Sequence, residues 1–216
     1  MYINDFIGKL SSQFKVSERS LGEYARIKKN GMDFEIHGYE IEGIGKMSTL
    51  SMKAMLGLMK METLIVSPME VDAPLYSFDW VRAMGSDTLI IELYDTQLAP
   101  CDLGALDAEK AKAAALPDND LGQHWYDYLH LSPTVSKKGK MGKVDYSPLI
   151  EGYTEEFIKL LKCSAPCDKA AKQKKIYNYT EGLLTNGGPA CDQFKKMIGE
   201  EKTRELFMKY IFSASD

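Results

Sequence analysis

The stretch from Leu58 to Leu98 most limits what this chain can fold into. It reads as three consecutive β-strands with their turns. Met59–Val66 is the first, stopped at Ser67-Pro68 because proline has no N–H for a ladder. Leu75–Ala83 is the second, after a connection carrying Glu70 and Asp72. Gly85-Ser86-Asp87 is a turn, and Thr88–Asp95 is the third strand. Connections this short make an antiparallel meander. Side chains alternate across a strand, so Tyr76, Phe78, Trp80 and Arg82 share one face of the second strand. Leu75, Ser77, Asp79 and Val81 share the other. Neither face is polar, so helices are expected on both.

Asp79 is the oddity in that strand. A carboxylate in a largely apolar setting is costly unless it is paired, hydrogen-bonded or protonated. The plain reading is a buried aspartate satisfied by backbone or Ser/Thr partners. The sharper one is a proton donor in a ligand pocket.

Around this meander, Ile3, Phe6, Ile7, Leu10 and Phe14 recur at helical spacing and predict an amphipathic helix from Tyr2 to about Phe14. Ser17–Lys29 is expected to be a second helix, ended by Asn30-Gly31. Met32–Gly45 reads as strand, with a bulge or break at Gly38, and Lys46–Leu56 as a further strand. Later come helices over Asp107–Leu116, Leu149–Leu161, Asp168–Leu184, Pro189–Ile198 and Glu201–Phe212. Ser132–Tyr146, with Lys137, Lys138, Lys140 and Lys143, is expected to be a mobile loop. Strands first and helices later give an α+β chain. A length of 216 residues and no composition break predict one domain over 1–216.

Composition narrows the function classes. The net charge of −4 disfavours wholesale binding to nucleic acid or anionic membrane. MYINDFIGKL is no signal peptide, and no run approaches the roughly 20 apolar residues of a membrane span, so a cytoplasmic protein is expected. Cys163 and Cys167 have no third ligand nearby, and His124 and His130 are six apart, off the i, i+4 face that a metal would need. Gly43-Ile-Gly45 lacks the third glycine of a dinucleotide fingerprint. His124 and His130 flank Trp125, Tyr126 and Tyr128, a combination that fits a pocket wall as well as a surface turn. Met47, Met52, Met55, Met59, Met61 and Met69 crowd one region, fitting either an irregular core or a pocket for a large flat ligand.

Pro68, Pro74-Leu75-Tyr76-Ser77-Phe78-Asp79 and Tyr94-Asp95, in that order, resemble the core of the ferredoxin-dependent bilin reductases and of their relative, red chlorophyll catabolite reductase. Asp168–Phe212 is similar to their C-terminal helices, with Tyr177 or Tyr179, Asn186, Ile198-Gly199 and Ile211-Phe212 in the matching places. The resemblance implies a three-layer α/β/α sandwich around an antiparallel sheet. It implies reduction of an open-chain tetrapyrrole by electron-then-proton transfer, with no tightly bound cofactor and electrons from external ferredoxin or flavodoxin. It makes Asp79 a catalytic proton donor, sets Thr63, Ser77, Asn186, Met61 and Ile65 along the ligand, and makes Lys137, Lys138 and Lys140 a docking patch for an acidic carrier. The pattern also departs from the family. Thr63 stands near the place of a family histidine, Gly187 follows Asn186 where many members have an aspartate, and the family's upstream acid has no counterpart around Ser51 and Lys53. A non-catalytic protein binding haem, a bilin or another apolar ligand is the second reading.

Overall fold

The structure is a computed structural model that describes residues 2–215. Helix α1 (Tyr2–Ser11) opens the chain and buries Ile3, Phe6 and Leu10. The strands follow: β1 (Val16–Arg19), β2 (Arg26–Lys29), β3 (Met32–Ile41), β4 (Gly45–Ala54), β5 (Met59–Pro68), β6 (Leu75–Ala83) and β7 (Ser86–Tyr94). Helix α2 (Gly104–Lys112) leads through a long connection to β8 (Val135–Lys140). Then come α3 (Ser147–Cys163), α4 (Lys169–Asn186), α5 (Pro189–Ile198) and α6 (Glu200–Glu205), which continues as a π-helical turn over Leu206–Ile211.

The strands form one antiparallel sheet in the order β1-β3-β4-β5-β6-β7-β8, with β2 also on β3. Helices α1, α2 and α3 pack on one face, where Leu64, Val66, Tyr76, Phe78, Leu89 and Ile91 are buried with Phe157 and Leu161. Helices α4, α5 and α6 pack on the other, over Phe34, Ile36, Leu50, Met52 and Leu75. This is the α/β/α sandwich with a central antiparallel sheet.

Several local expectations fail for identifiable reasons. Residues 17–29 are not a helix. They supply edge strands β1 and β2, separated by a short 3-10 turn at Gly22–Ala25, and both pair with β3. The segment has little apolar periodicity of its own, so the ladder that β3 offers decides its conformation. Gly38 makes no break, since β3 runs straight through it. A Cβ there would lie 2.8 Å from Leu21 and 2.9 Å from Arg19, so the small residue makes room for the chain crossing above it. The expected loop at 132–146 contains β8, which pairs with β7 from Ser86↔Lys140 to Ile91↔Val135. Strand spans elsewhere differ from expectation by a few residues, and β5 runs on through Pro68.

Candidate functional site

Register sets the site. On the face toward α4, neighbouring strands bring Leu50, Thr63, Asp79 and Ile90 into one row. The next row toward the α4 end holds Ile65, Ser77 and Glu92. Asp79 and Thr63 are thus cross-strand partners, and the Thr63 hydroxyl is hydrogen-bonded to the Asp79 carboxyl. Glu92 lies diagonally across from Asp79, which in an antiparallel sheet places their Cβ atoms about 7 Å apart.

The middle of this face is not sealed. Met61, Thr63, Asp79, Val81, Thr88 and Ile90 all remain partly exposed, although they lie on the three central strands. Most of their strand neighbours on the opposite face, among them Leu64, Phe78, Trp80, Leu89 and Ile91, are buried. A partly open strip of mixed apolar and polar side chains on a sheet face is the kind of surface on which a small molecule is bound.

Asp79 has a partly exposed side chain, yet protein atoms crowd its carboxyl. Desolvation dominates and pushes its pKa up to about 7, with the Glu92 charge adding to the rise and the Thr63 hydrogen bond opposing it. A carboxyl in that range holds a proton near neutral pH and can give it up.

Beside it stands a second polar group. The Tyr94 hydroxyl donates to Glu92 Oε2 at 2.7 Å, and His130 Nε2 lies 3.3 Å from Glu92 Oε1. His130 Nε2 is buried without a well-aligned hydrogen-bond partner. The backbone fixes His130 there: Asp95 N–H donates to Leu129 O and Leu131 N–H to Leu93 O, extending the pairing along β7 beyond β8. Burial raises the phenols of Tyr94, Tyr126 and Tyr179, so all three stay neutral donors.

These rings form the wall that closes one end of the strip. Tyr94 and Tyr179 lie 4.5 Å apart between centroids, and Tyr94 and His130 5.1 Å. Tyr126 stacks on His124 at 4.9 Å and meets Trp125 edge-on. Trp125 Nε1 donates to Gly187 O at the end of α4. A Cβ on Gly182 would sit 2.2 Å from the Trp125 ring, so glycine there lets the indole lie flat against α4. Helix α4 is pinned over the sheet by Lys172. This fully buried ammonium donates to Ala73 O at 2.5 Å and to Asp72 Oδ1 at 3.3 Å.

Of the residues singled out in the sequence, Asp79, Thr63, Ser77, Met61 and Ile65 share this face. Asn186 does not join them. It is exposed at the C-terminus of α4, seven residues and about 10 Å along the helix from Tyr179. Of the two candidate tyrosines, Tyr179 points inward and Tyr177 is 40% exposed. The lysine patch is corrected. Lys137 faces the α2 side, is buried, and is bonded to Leu116 O and Asp118 Oδ1. Lys138 is exposed on the face of the cleft, and Lys140, also exposed, follows it two residues on along the same strand. Glu92 was missed, although an acid inside the apolar run Leu89–Tyr94 that shares its face with Ser77 was a usable signal; Tyr126 and His130 stand in the segment that also read as a pocket wall, and Tyr94 and Tyr179 at places the family resemblance marked.

Among the described residues no group of three His, Cys, Asp or Glu side chains could hold a metal, all four cysteines are free, and no helix is long and apolar enough to cross a membrane. Two hollows, of about 720 Å³ between α2 and β8 and about 500 Å³ between α1 and α3, lie off this face.

No family model and no curated protein matches the sequence. The fold is nevertheless shared with solved structures. One is phytochromobilin synthase from tomato, crystallised in complex with biliverdin: TM-score 0.79, 98% of this chain and 82% of that chain covered, 13% identity. The likeness in structure shows the fold that the motif resemblance implied.

Proposed function

We propose that the chain binds an open-chain tetrapyrrole along the partly exposed strip of the sheet and reduces it by one-electron transfers followed by protonation. The observation that carries this is Asp79: an acid poised near neutrality, held by Thr63, on the partly open face of the sheet, within a fold shared with a protein crystallised with biliverdin. Two electrons and two protons are needed to saturate one double bond. An external one-electron carrier, ferredoxin or flavodoxin, would supply the electrons, with Lys138 and Lys140 as the exposed charges nearest the cleft for an acidic partner. Asp79 would deliver one proton. The Glu92–His130–Tyr94 group is the second acid within reach and would deliver the other.

The aromatic wall of Tyr94, Tyr126, Tyr179 and Trp125 suits a flat conjugated ligand. Threonine rather than histidine beside Asp79 supports the second reading, a protein that binds such a ligand without reducing it. Anaerobic incubation with biliverdin and reduced ferredoxin, followed by absorption, separates the two. A reductase bleaches or shifts the bilin bands with turnover; a binder gives only a saturable shift. In Asp79→Asn, which keeps shape but loses the titrating proton, the reductase should accept an electron and stall as an organic radical visible by electron paramagnetic resonance. Full turnover by that variant would remove Asp79 from the chemistry.

A further inference from the structure

The end of the sheet formed by the β4–β5 and β6–β7 turns is built against the rules for a solvent-exposed hairpin end. Leu56 and Met84 stand at the turn tips with relative exposures of 107% and 102%. Beside them Met55 and Leu58 are 67% and 71% exposed. Met55, Leu56 and Met84 have φ of 50°, 56° and 50°, a left-handed conformation that glycine, asparagine or aspartate takes at far lower cost. The two turns are two strand spacings apart, about 10 Å, so their tips form one cluster.

Charge at this end is equally unusual. Lys53 and Lys60 are directly opposed across β4 and β5, an arrangement of like charges that weakens a hairpin. Lys29 ends β2 at the same edge. Met141 N–H donates to Gly85 O and Gly142 N–H to Asp87, which brings Lys143 beside the β6–β7 turn. All four lysines are exposed and, among the described residues, none has an ion-pair partner. The nearby acids are engaged already: Asp33 by Arg26 and Lys28, Asp87 by Arg82, and Glu62 by the amide of Ile3. A chain of net charge −4 thus concentrates unpaired positive charge around bare aliphatic knobs.

We infer that this end of the sheet docks on an anionic lipid surface, with Leu56 and Met84 entering the headgroup layer and Lys29, Lys53, Lys60 and Lys143 facing lipid phosphates. Aliphatic tips ringed by lysine suit an interfacial layer. A protein partner is the weaker fit on charge: protein interfaces favour methionine, which Met55 and Met84 supply, but they disfavour the lysine that rings these tips. The site gives the placement a purpose. The partly exposed strip runs without interruption from this end, through Met59 and Met61 on β5 and Ala83 and Val81 on β6, to Thr63 and Asp79. Docked this way, the cleft opens onto the bilayer, and an apolar ligand passes between the two without crossing bulk water. The docking does not depend on the proposed reduction.

The test is co-sedimentation of the full chain with phosphatidylcholine vesicles, with and without phosphatidylglycerol, over a range of salt. The protein should pellet with the anionic vesicles at low salt and be released as salt rises. Leu56→Asn with Met84→Asn should cut partitioning about tenfold or more. Asparagine tolerates the left-handed backbone, so this variant should melt no lower than the parent. Lys53→Gln with Lys60→Gln should weaken binding and flatten its salt dependence. A parent that stays in the supernatant with both vesicle types overturns the proposal, as does an asparagine variant that partitions like the parent. Failure on vesicles combined with ferredoxin binding that the asparagine variant loses would assign this face to a protein carrier instead. Biliverdin titration without vesicles reports on the cleft separately, so failure of the docking and failure of the ligand reading are distinguishable.

Discussion

The two faces of the sheet are made from the same strands and behave in opposite ways. Toward α1 and α3, Tyr76, Phe78, Leu89 and Ile91 are sealed, and Tyr76 stacks between Phe6 and Phe157 at 5.9 and 4.4 Å. Toward α4, the alternate residues of the same strands, Asp79, Val81, Thr88 and Ile90, stay partly open and include the acids. A strand fixes both faces at once, so the sealed face can hold the backbone that positions the open one. Stability and chemistry are divided by a period of two residues.

The sharpest way to break this division is to cut each face in turn. Phe157→Ala removes a fully buried ring and should cost about 3–5 kcal/mol, read by urea unfolding. Met61→Ala on the open face should cost less than about 1 kcal/mol. Equal losses would mean that the open face is packed like the other.

Asp79 tests the open face through pH. Its carboxyl gives up its proton at about 7 in the folded protein and near 4 when unfolded. The folded state therefore holds the proton over that window, and its advantage is lost as pH rises from about 4 to 7. Asp79→Asn should match the parent near pH 4 and exceed it at pH 8 by up to about 4 kcal/mol, roughly three pKa units at about 1.36 kcal/mol each, measured by thermal melts across pH. A variant less stable at pH 8 would show that the ionised carboxylate is held by the fold.

A smaller effect is expected from the sealed face. The Tyr76 hydroxyl is buried with no partner among the described residues, and its ionisation is strongly opposed by burial. Tyr76→Phe should leave stability unchanged or raise it by up to about 1 kcal/mol. A loss would reveal a hydrogen bond at that hydroxyl.

The meander and the side on which Asp79 lies were legible because both follow from alternation within one strand. The edge strands at 16–29 were not, because their pairing partner, β3, decides them. Likewise Val135–Lys140 carries turn-like glycine and lysine, and only the ladder of β7 makes it a strand. The aromatic wall was half legible: the cluster at 124–130 fitted a pocket wall as well as a surface turn, but His130 and Tyr179 lie 51 and 100 positions after Asp79 (130 − 79 and 179 − 79), and only the topology brings them to it. Asp79 has the Thr partner that its structural reading expects, and burial raises its pKa, which the proposed donor role requires.

Arg19, on edge strand β1, donates to the carbonyls of Lys209 and Tyr210 and to the Ser213 hydroxyl, and the Ser48 hydroxyl on β4 donates to Ile211 O. The π-helical turn leaves those carbonyls available. An early strand therefore waits for groups 190 positions later before its own polar atoms are satisfied. The contacts join the two ends of the chain, so truncating the last turn should strip the Arg19 guanidinium of its partners while leaving the β1–β3 ladder in place.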